Sequence, residues 1–460
     1  MKLYNKINLL LFLCILGTSC EEFVEVEVPA HQLPVSVVFE NEATARSAML
    51  GIYYQLFRSS AFSNGHTSSV TALAGLSAGT LTPVDATNTV FTEFLQHEVL
   101  PQNPNNLNLW SSAYHTVYMV NSFLEGLEAS DSLPEELASH LRGEALFIRG
   151  FTYFYLRQLY GKVPLILTSD YRLNASAASN TLEEIHTQIL ADLQTAENLL
   201  PEAYTQQERT YVNRYGAKAL LARIALYDEN WQLALQYSNE VITQSALYGL
   251  EENLDEVFLA NSQEAIWQIS PLGGGNTTTN THEWTIFSSA FPQLRLTDGF
   301  ETNFETGDLR KHFWLEQHPE NNTYRPSKYK AGNNSSAITE YSMVFRLAEQ
   351  YFIRAEAQAH LSSMPAAIAD LDHIRERAGI PLIAQTQPNI TTEAFLTLLL
   401  EERQRELFAE WGQRWLDLWR TQQAASVFSD STLWEPTDEL YPIPEKERIK
   451  NPNLTQNPGY

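Results

Sequence analysis

The chain has 460 residues, a formal net charge of −25 and 44% hydrophobic residues. That composition excludes a disordered chain, and the length suits two or three average domains or one large one. The acidity argues against a nucleic-acid partner and against docking on an anionic membrane through a basic surface.

Residues 1–19 read as a targeting segment. Lys2 and Lys6 give a positive start, and Ile7 to Leu16 is an apolar run too short to span a bilayer but suited to a signal peptide. Gly17-Thr18-Ser19-Cys20 follows and resembles a bacterial lipobox, which makes Cys20 the expected lipidation site. One departure stands out: Gly17 occupies the position three before the cysteine where leucine is usual, and Leu16 sits one earlier. The only other cysteine is Cys14, inside the signal, so the mature chain is expected to carry neither a disulfide nor a free thiol. Glu21 and Glu22 fit either the acidic export signal of some surface-displayed lipoproteins or a plain acidic tether. No second apolar run is long enough for a membrane helix, so the expectation is a protein anchored to a membrane rather than threaded through it.

Residues 20–460 are expected to form one unit dominated by helical periodicity. Helices are predicted at about 41–57, 109–127, 135–160, 182–200, 213–245 (as a pair), 343–378 (as a pair, 343–362 and 364–378) and 391–420. Irregular stretches at about 58–108, 250–340 and 421–460 would make up a loop-rich lobe. The most aromatic helix lies at 135–160. At about 100° per residue, Phe147, Ile148, Phe151, Phe154, Tyr155 and Leu159 cover an arc of roughly 180–200°, with Arg142, Arg149, Tyr153 and Arg157 opposite. A surface helix needs only about 100°, so this one is expected to be sandwiched, as in a stacked helical array.

Internal repetition supports the array. Residues 219–242 can be laid over 351–375, with Ala222 and Ala234 matching Ala355 and Ala367. Small residues at that spacing let two antiparallel helices approach closely, as in tetratricopeptide (TPR) repeats, although the usual Trp-Leu-Gly-Tyr pattern is absent. The fold class is therefore mostly α, a TPR-like helical-pair scaffold carrying an irregular lobe.

No catalytic constellation emerges. Glu406 and Glu410 could pass for an acid/base pair, but Glu401–Arg405 and Glu410–Arg414 read better as helical ion pairs, beside a core ladder of Trp411, Trp415 and Trp419. The Gly-x-Ser-x-Gly pattern at 75–79 lacks the helix that a nucleophile elbow needs after its serine. The histidines are scattered, with no metal-binding spacing. The stretch 273–280 has glycines but no phosphate-loop lysine, and reads as a flexible loop.

Three long stretches carry a resemblance to a known family. "EALFIRGFTYFYLRQLYGKVPLIL" (144–167), "LEERQRELFAEWGQRWLDLWR" (400–420) and "LYPIPEKERIKNPNLTQNPGY" (440–460) resemble signatures of the SusD/RagB family of surface lipoproteins, in the family's order. The resemblance implies four TPR-like units with an irregular lobe, on the outer face of the outer membrane. It implies a SusC-like TonB-dependent transporter as partner and an oligosaccharide as cargo, captured without catalysis. It implies no cofactor, and nothing in the residues indicates a structural calcium. Two readings stay beside it: a peptide-capturing lid of the same architecture, and a lipid-anchored scaffold for other proteins.

A sugar site stacks an aromatic ring on the apolar face of a pyranose and surrounds it with hydrogen-bonding side chains. Such rings are expected in the irregular stretches. Trp284 and Phe287 in the later loop, and Asp85, Asn88 and Phe94 in the early one, are the candidates, with Trp314 and Tyr324 behind them. The early loop has no Trp or Tyr before Trp110, a departure from aromatic-rich starch binders.

Overall fold

The computed structural model describes residues 35–271, 280–332 and 337–460. Cys20, the acidic pair after it and most of the glycine-rich loop lie outside the described residues. No helix among the described residues is long and apolar enough to cross a membrane.

The scaffold is a run of antiparallel helices: α1 (Glu42–Arg58), α2 (Val70–Ser77), α3 (Thr89–Leu95), α4 (Pro104–Glu128), α5 (Glu135–Tyr160), α6 (Leu182–Leu199), α7 (Arg214–Tyr227) and α8 (Trp231–Ile242). The lobe carries α9 (His282–Ser288) and α10 (Leu309–Trp314), and after it come α11 (Leu347–His360), α12 (Met364–Arg377), α13 (Thr392–Leu407), α14 (Gln413–Arg420) and α15 (Glu445–Lys450). Their starts are written in cap residues. Asn41, Ser69, Asn213, Asn230 and Thr391 each accept a backbone N–H of the first turn, and Thr181 with Glu184 forms a capping box. Each of the sequential pairs α4–α5, α5–α6, α6–α7, α7–α8 and α11–α12 packs side by side, and α8 packs on α11. Ala222, Ala234, Ala355 and Ala367 are fully buried in these contacts, as small residues at a close approach must be.

Helix α5 is the axis of the array. From Gly143 to Tyr160 every residue except Arg157 is buried, so of the stripe expected to face away from the core Arg149 and Tyr153 are buried, while Arg142 and Arg157 are half-buried. Arg149 is neutralised there by a two-pronged ion pair with Asp192 of α6 (2.7 and 2.8 Å) and a bond to Asn121 of α4 (2.9 Å). Tyr153 donates to the Ile166 carbonyl at 3.0 Å. Gly143 and Gly150 permit the contact with α6: a Cβ on Gly150 would stand 2.9 Å from Leu193. Phe151 meets Trp267, Trp411 and Phe345 edge-on at 5.1, 5.2 and 5.8 Å between ring centres.

Two expected helices are interrupted. Residues 342–346 form a strand, β6 (Ser342–Arg346), paired antiparallel with β2 (Ala265–Ile269), and α11 begins only at Leu347. Both strands are buried throughout, so their apolar runs mimic a buried helix in sequence. The segment 391–420 is two helices, not one. Ala409, Trp411 and Gly412 adopt positive φ (54°, 46° and 67°), and a Cβ on Gly412 would stand 2.5 Å from Ala74. The break turns Trp411 into the α5 core and leaves Trp415 buried and Trp419 only half-buried, so the three do not form one ladder. Glu401–Arg405 pairs at 3.0 Å, but Glu410 turns away from Arg414 to pair with Arg346 and Lys328.

Those last pairs belong to a buried ionic cluster that seats the lobe on the scaffold. Arg346 reaches Glu264 (2.8 Å), Glu406 (2.6 Å) and Glu410 (2.8 Å). Arg310 of the lobe reaches Asp308 (2.7 Å), Glu402 (2.8 Å) and Glu406 (3.3 Å). Arg377 pairs with Glu264 and Glu406, and Arg375 with Glu402 and Glu305. Burial alone would raise the Glu406 carboxyl. Arg377, Arg346 and Arg310 outweigh it and hold the group well below the usual carboxylate range. Burial lowers the Lys328 ammonium to about 8 against the pull of Glu410.

Two other buried carboxyls have no such cations. Burial raises Glu283 to about 7 although Ser342 donates to it, and its Oε2 has no partner among the described residues. Burial likewise raises Glu144 to about 8 against a hydrogen bond from the Tyr53 hydroxyl at 3.1 Å.

Phe151→Ala is expected to cost about 3–5 kcal/mol of stability, as a fully enclosed ring should; a melting temperature that barely moves would show that α5 is not enclosed. For Glu283 the folded value lies above the ordinary 4.5, so the native state binds the extra proton. Its contribution to stability is therefore lost as pH rises from 4.5 through about 7. Glu283→Gln should match the parent at pH 4 and exceed it by on the order of 3 kcal/mol at pH 8. Thermal melts across that range check this, and a variant equally weakened at both ends contradicts it.

Candidate ligand-binding face

The early and late loop stretches meet in the lobe. Strand β1 (Leu81–Pro83) pairs antiparallel with β3 (Leu294–Leu296), Pro83 opposite Leu294. The Val84 N–H continues the ladder to the Gln293 carbonyl at 2.9 Å. Helix α9 packs on this edge: the Gln293 N–H donates to the Ile286 carbonyl at 2.9 Å. Strand β5 (Tyr324–Pro326), paired with β4 (Leu315–Gln317), packs on both β3 and α9. Gly65, at φ +74°, lets the early loop press on α9, since a Cβ there would stand 2.2 Å from the Glu283 carboxyl.

Of the expected site residues, four lie on the accessible side of this assembly. Asp85 is exposed, and its carboxylate accepts from the Thr87 N–H (2.9 Å) and hydroxyl (2.7 Å), bonds that lower its pKa. Asn88 is half-buried at the start of α3, and its carboxamide has no hydrogen-bond partner among the described residues. Trp284 is half-buried on α9, where Thr281 caps the helix by accepting the Trp284 N–H, and its ring lies over Gly332. Tyr324 is half-buried on β5.

The other three rings are core residues. Phe94 is fully enclosed, edge-on to Tyr441 at 5.1 Å, and Phe287 is buried beneath α9. Trp314 is fully buried, donates its indole N–H to the Leu254 carbonyl at 3.0 Å and lies 4.8 Å from the Lys328 ammonium. None of the three offers a face to a ligand in this structure, because the lobe packs inward on the ionic cluster. Conversely, Phe291 is 87% exposed, the most accessible of the large apolar side chains described. It sits between α9 and β3 in a Ser-Ser-Ala-Phe-Pro stretch whose small residues cannot cover a ring. That was the available signal.

Next to this face, His282 stacks on Phe57 at 4.5 Å and meets His66 edge-on at 5.4 Å. Burial lowers its pKa to about 4, so it is neutral at pH 7 and supplies no charge. Among the described residues no group of His, Cys, Asp and Glu could hold a metal ion. Ser77 of the Gly-x-Ser-x-Gly pattern ends helix α2 rather than following a strand, and its buried hydroxyl bonds Tyr441 at 3.0 Å. The arrangement can stack and hydrogen-bond a ligand.

A family model described as "Starch-binding associating with outer membrane" (SusD-like_3) matches residues 61–226, and the SusD family model (SusD_RagB) matches residues 301–460. Among curated proteins the chain is similar to SusD-like protein P25 of Formosa agariphila, at 24% identity over the full length of both chains. It is 28% identical to SusD-like protein P2 of the same organism, over 76% of this chain and 80% of the relative. Among solved structures it is similar to a SusD superfamily protein from Bacteroides vulgatus (TM-score 0.78, 21% identity, 91% of this chain and 99% of the other). It is also similar to a laminarin-binding SusD-like protein (TM-score 0.75, 23% identity, 91% of this chain and 100% of the other). With two models of one family matching most of its length and a full-length curated relative, the chain belongs to the SusD/RagB family of carbohydrate-binding, outer-membrane-associated proteins.

Proposed function

We propose that this protein is a lipid-anchored surface receptor that captures an oligosaccharide without chemically changing it and passes it to a SusC-like TonB-dependent transporter. The lipobox ending at Cys20 supports the anchor, and Glu21 and Glu22, read as an export signal, support a position outside the cell. Trp284, Tyr324 and Phe291 would stack on sugar rings, while Asp85 and Asn88 would hydrogen-bond hydroxyls. The observation that carries the reading is the pairing of two distant stretches, Leu81–Pro83 with Leu294–Leu296, close in sequence to the almost fully exposed ring of Phe291. The laminarin-binding relative makes β-glucan oligosaccharides the first ligands to test.

Calorimetry with laminarin oligosaccharides and with other glycans should find binding that Phe291→Ala or Trp284→Ala weakens by about 1–3 kcal/mol each, the scale of aromatic stacking platforms. The melting temperature of Phe291→Ala should not change, because the ring is exposed. Unchanged affinity in both variants would remove these rings from the site. Purification from native membranes should bring down a large β-barrel; its absence would contradict the transporter partnership.

A further inference from the structure

A second groove, of about 440 Å³, lies away from the lobe face, between α4, the segment around residues 164–175 and α15. Trp110, Tyr114, Tyr118 and Tyr171 line it. Tyr118 is 48% and Tyr171 76% exposed, so two of the rings present open faces. Trp110 is only 3% exposed, and its indole N–H, which meets no acceptor among the described residues, keeps some solvent contact. The hydroxyls of Tyr118 and Tyr171 are equally without partners, whereas Tyr114 donates to the Pro164 carbonyl at 2.8 Å. Asn174 adds a carboxamide whose N–H₂ is held by the Thr168 carbonyl at 2.8 Å, which leaves its oxygen available.

The walls are fixed before any ligand arrives. Glu125 of α4 accepts the Thr168 hydroxyl (2.7 Å) and the Ser169 N–H (2.8 Å). Asp170 then caps the turn Tyr171–Asn174, accepting the Arg172 N–H at 3.0 Å. The C-terminal segment is tied to the same stretch by Asn451 to the Ala177 carbonyl (2.7 Å) and Asn453 to the Ser176 carbonyl (2.8 Å). An exposed ring on so short a turn is thus held in place, which lowers the entropy cost of stacking against it.

From this geometry we infer that the groove is a second oligosaccharide-binding site, separate from the lobe face. Its volume falls in the range of small-ligand sites. Flat rings match the apolar faces of pyranoses, and the unpartnered indole N–H and phenols match a ligand with many hydroxyls. An apolar peptide side chain would leave that indole donor unmet, which is costly once water is excluded. The lining charges, Glu447 and Lys450, belong to opposite signs at one rim and favour a neutral ligand. The inference rests on the reading of the protein as a glycan receptor and adds a second point of attachment along the chain being captured.

The test uses the full protein with laminarihexaose, maltohexaose, xylohexaose and mannohexaose in calorimetry, and a crystal soak with whichever binds. The expected result is two sites. Tyr171→Ala and Trp110→Phe should each weaken one of them at least tenfold while the site sensitive to Phe291→Ala keeps its affinity; sugar should appear against Tyr171 in the soaked crystal. A single site, lost in Phe291→Ala and unmoved by Tyr171→Ala, overturns the second site and leaves the receptor reading intact. No binding of any hexasaccharide overturns both. Tyr171→Ala that instead abolishes co-purification of the barrel, with sugar stoichiometry unchanged, assigns the groove to a protein partner and overturns the inference.

Discussion

The buried ionic cluster around Arg346 and Glu406 is the constraint on which the arrangement depends. It joins pieces from five parts of the chain: Glu264 before β2, Arg310 in the lobe, Arg346 at the end of β6, Arg377 on α12, and Glu406 on α13. Burying so many charges is favourable only if every one is matched, so the cluster admits one arrangement of lobe on scaffold and penalises the rest. Lys328 extends it under the lobe, donating to the Glu406 carbonyl at 2.7 Å and lying 4.0 Å from the centre of the Phe408 ring. The break between α13 and α14 exists in this context: a straight helix could not aim Glu410 at Arg346 and also turn Trp411 toward Phe151.

Helix α5 does the corresponding work within the scaffold. Its rings are used up in contacts with Trp267, Phe345 and Trp411, and its Arg149 is tied to Asp192 of α6. Rings so enclosed offer no face to a ligand, unlike those that the packing does not cover. Phe291 and Trp284 sit on the lobe, and Tyr118 and Tyr171 beside the far groove. The same scaffold that hides most of the aromatic content thus decides where the accessible remainder lies.

Much of the scaffold was readable from local signals. Caps such as Thr181 and stops such as Gly161 mark helix ends, and the paired alanines mark close-packed helices, because both effects act within a few residues. What could not be read depends on distant partners. Residues 342–346 become a strand because 265–269 is there to pair with them, and 409–412 bends where Arg346 and Lys328, from two other segments, converge on Glu410. The site followed the same rule. A ring in a polar, irregular stretch looks like a surface ring, yet Phe94 is claimed by Tyr441 and Trp314 by Leu254 and Lys328, contacts invisible to sequence spacing. Phe291 stays exposed because its small neighbours give it nothing to hide under. Tyr118 and Tyr171 lay on segments read as scaffold and connection.

Amide hydrogen exchange on the full-length protein with Arg346→Met tests the central claim most directly. Removing this cation leaves Glu264, Glu406 and Glu410 short of a partner, at a cost of about 3–5 kcal/mol. Protection should fall first across 294–330 and 402–412, where the lobe meets the scaffold, while α5 to α8 keep theirs. Exchange unchanged in the lobe, or lost evenly across all helices, would show that the charges are bystanders and that something else holds the lobe in place.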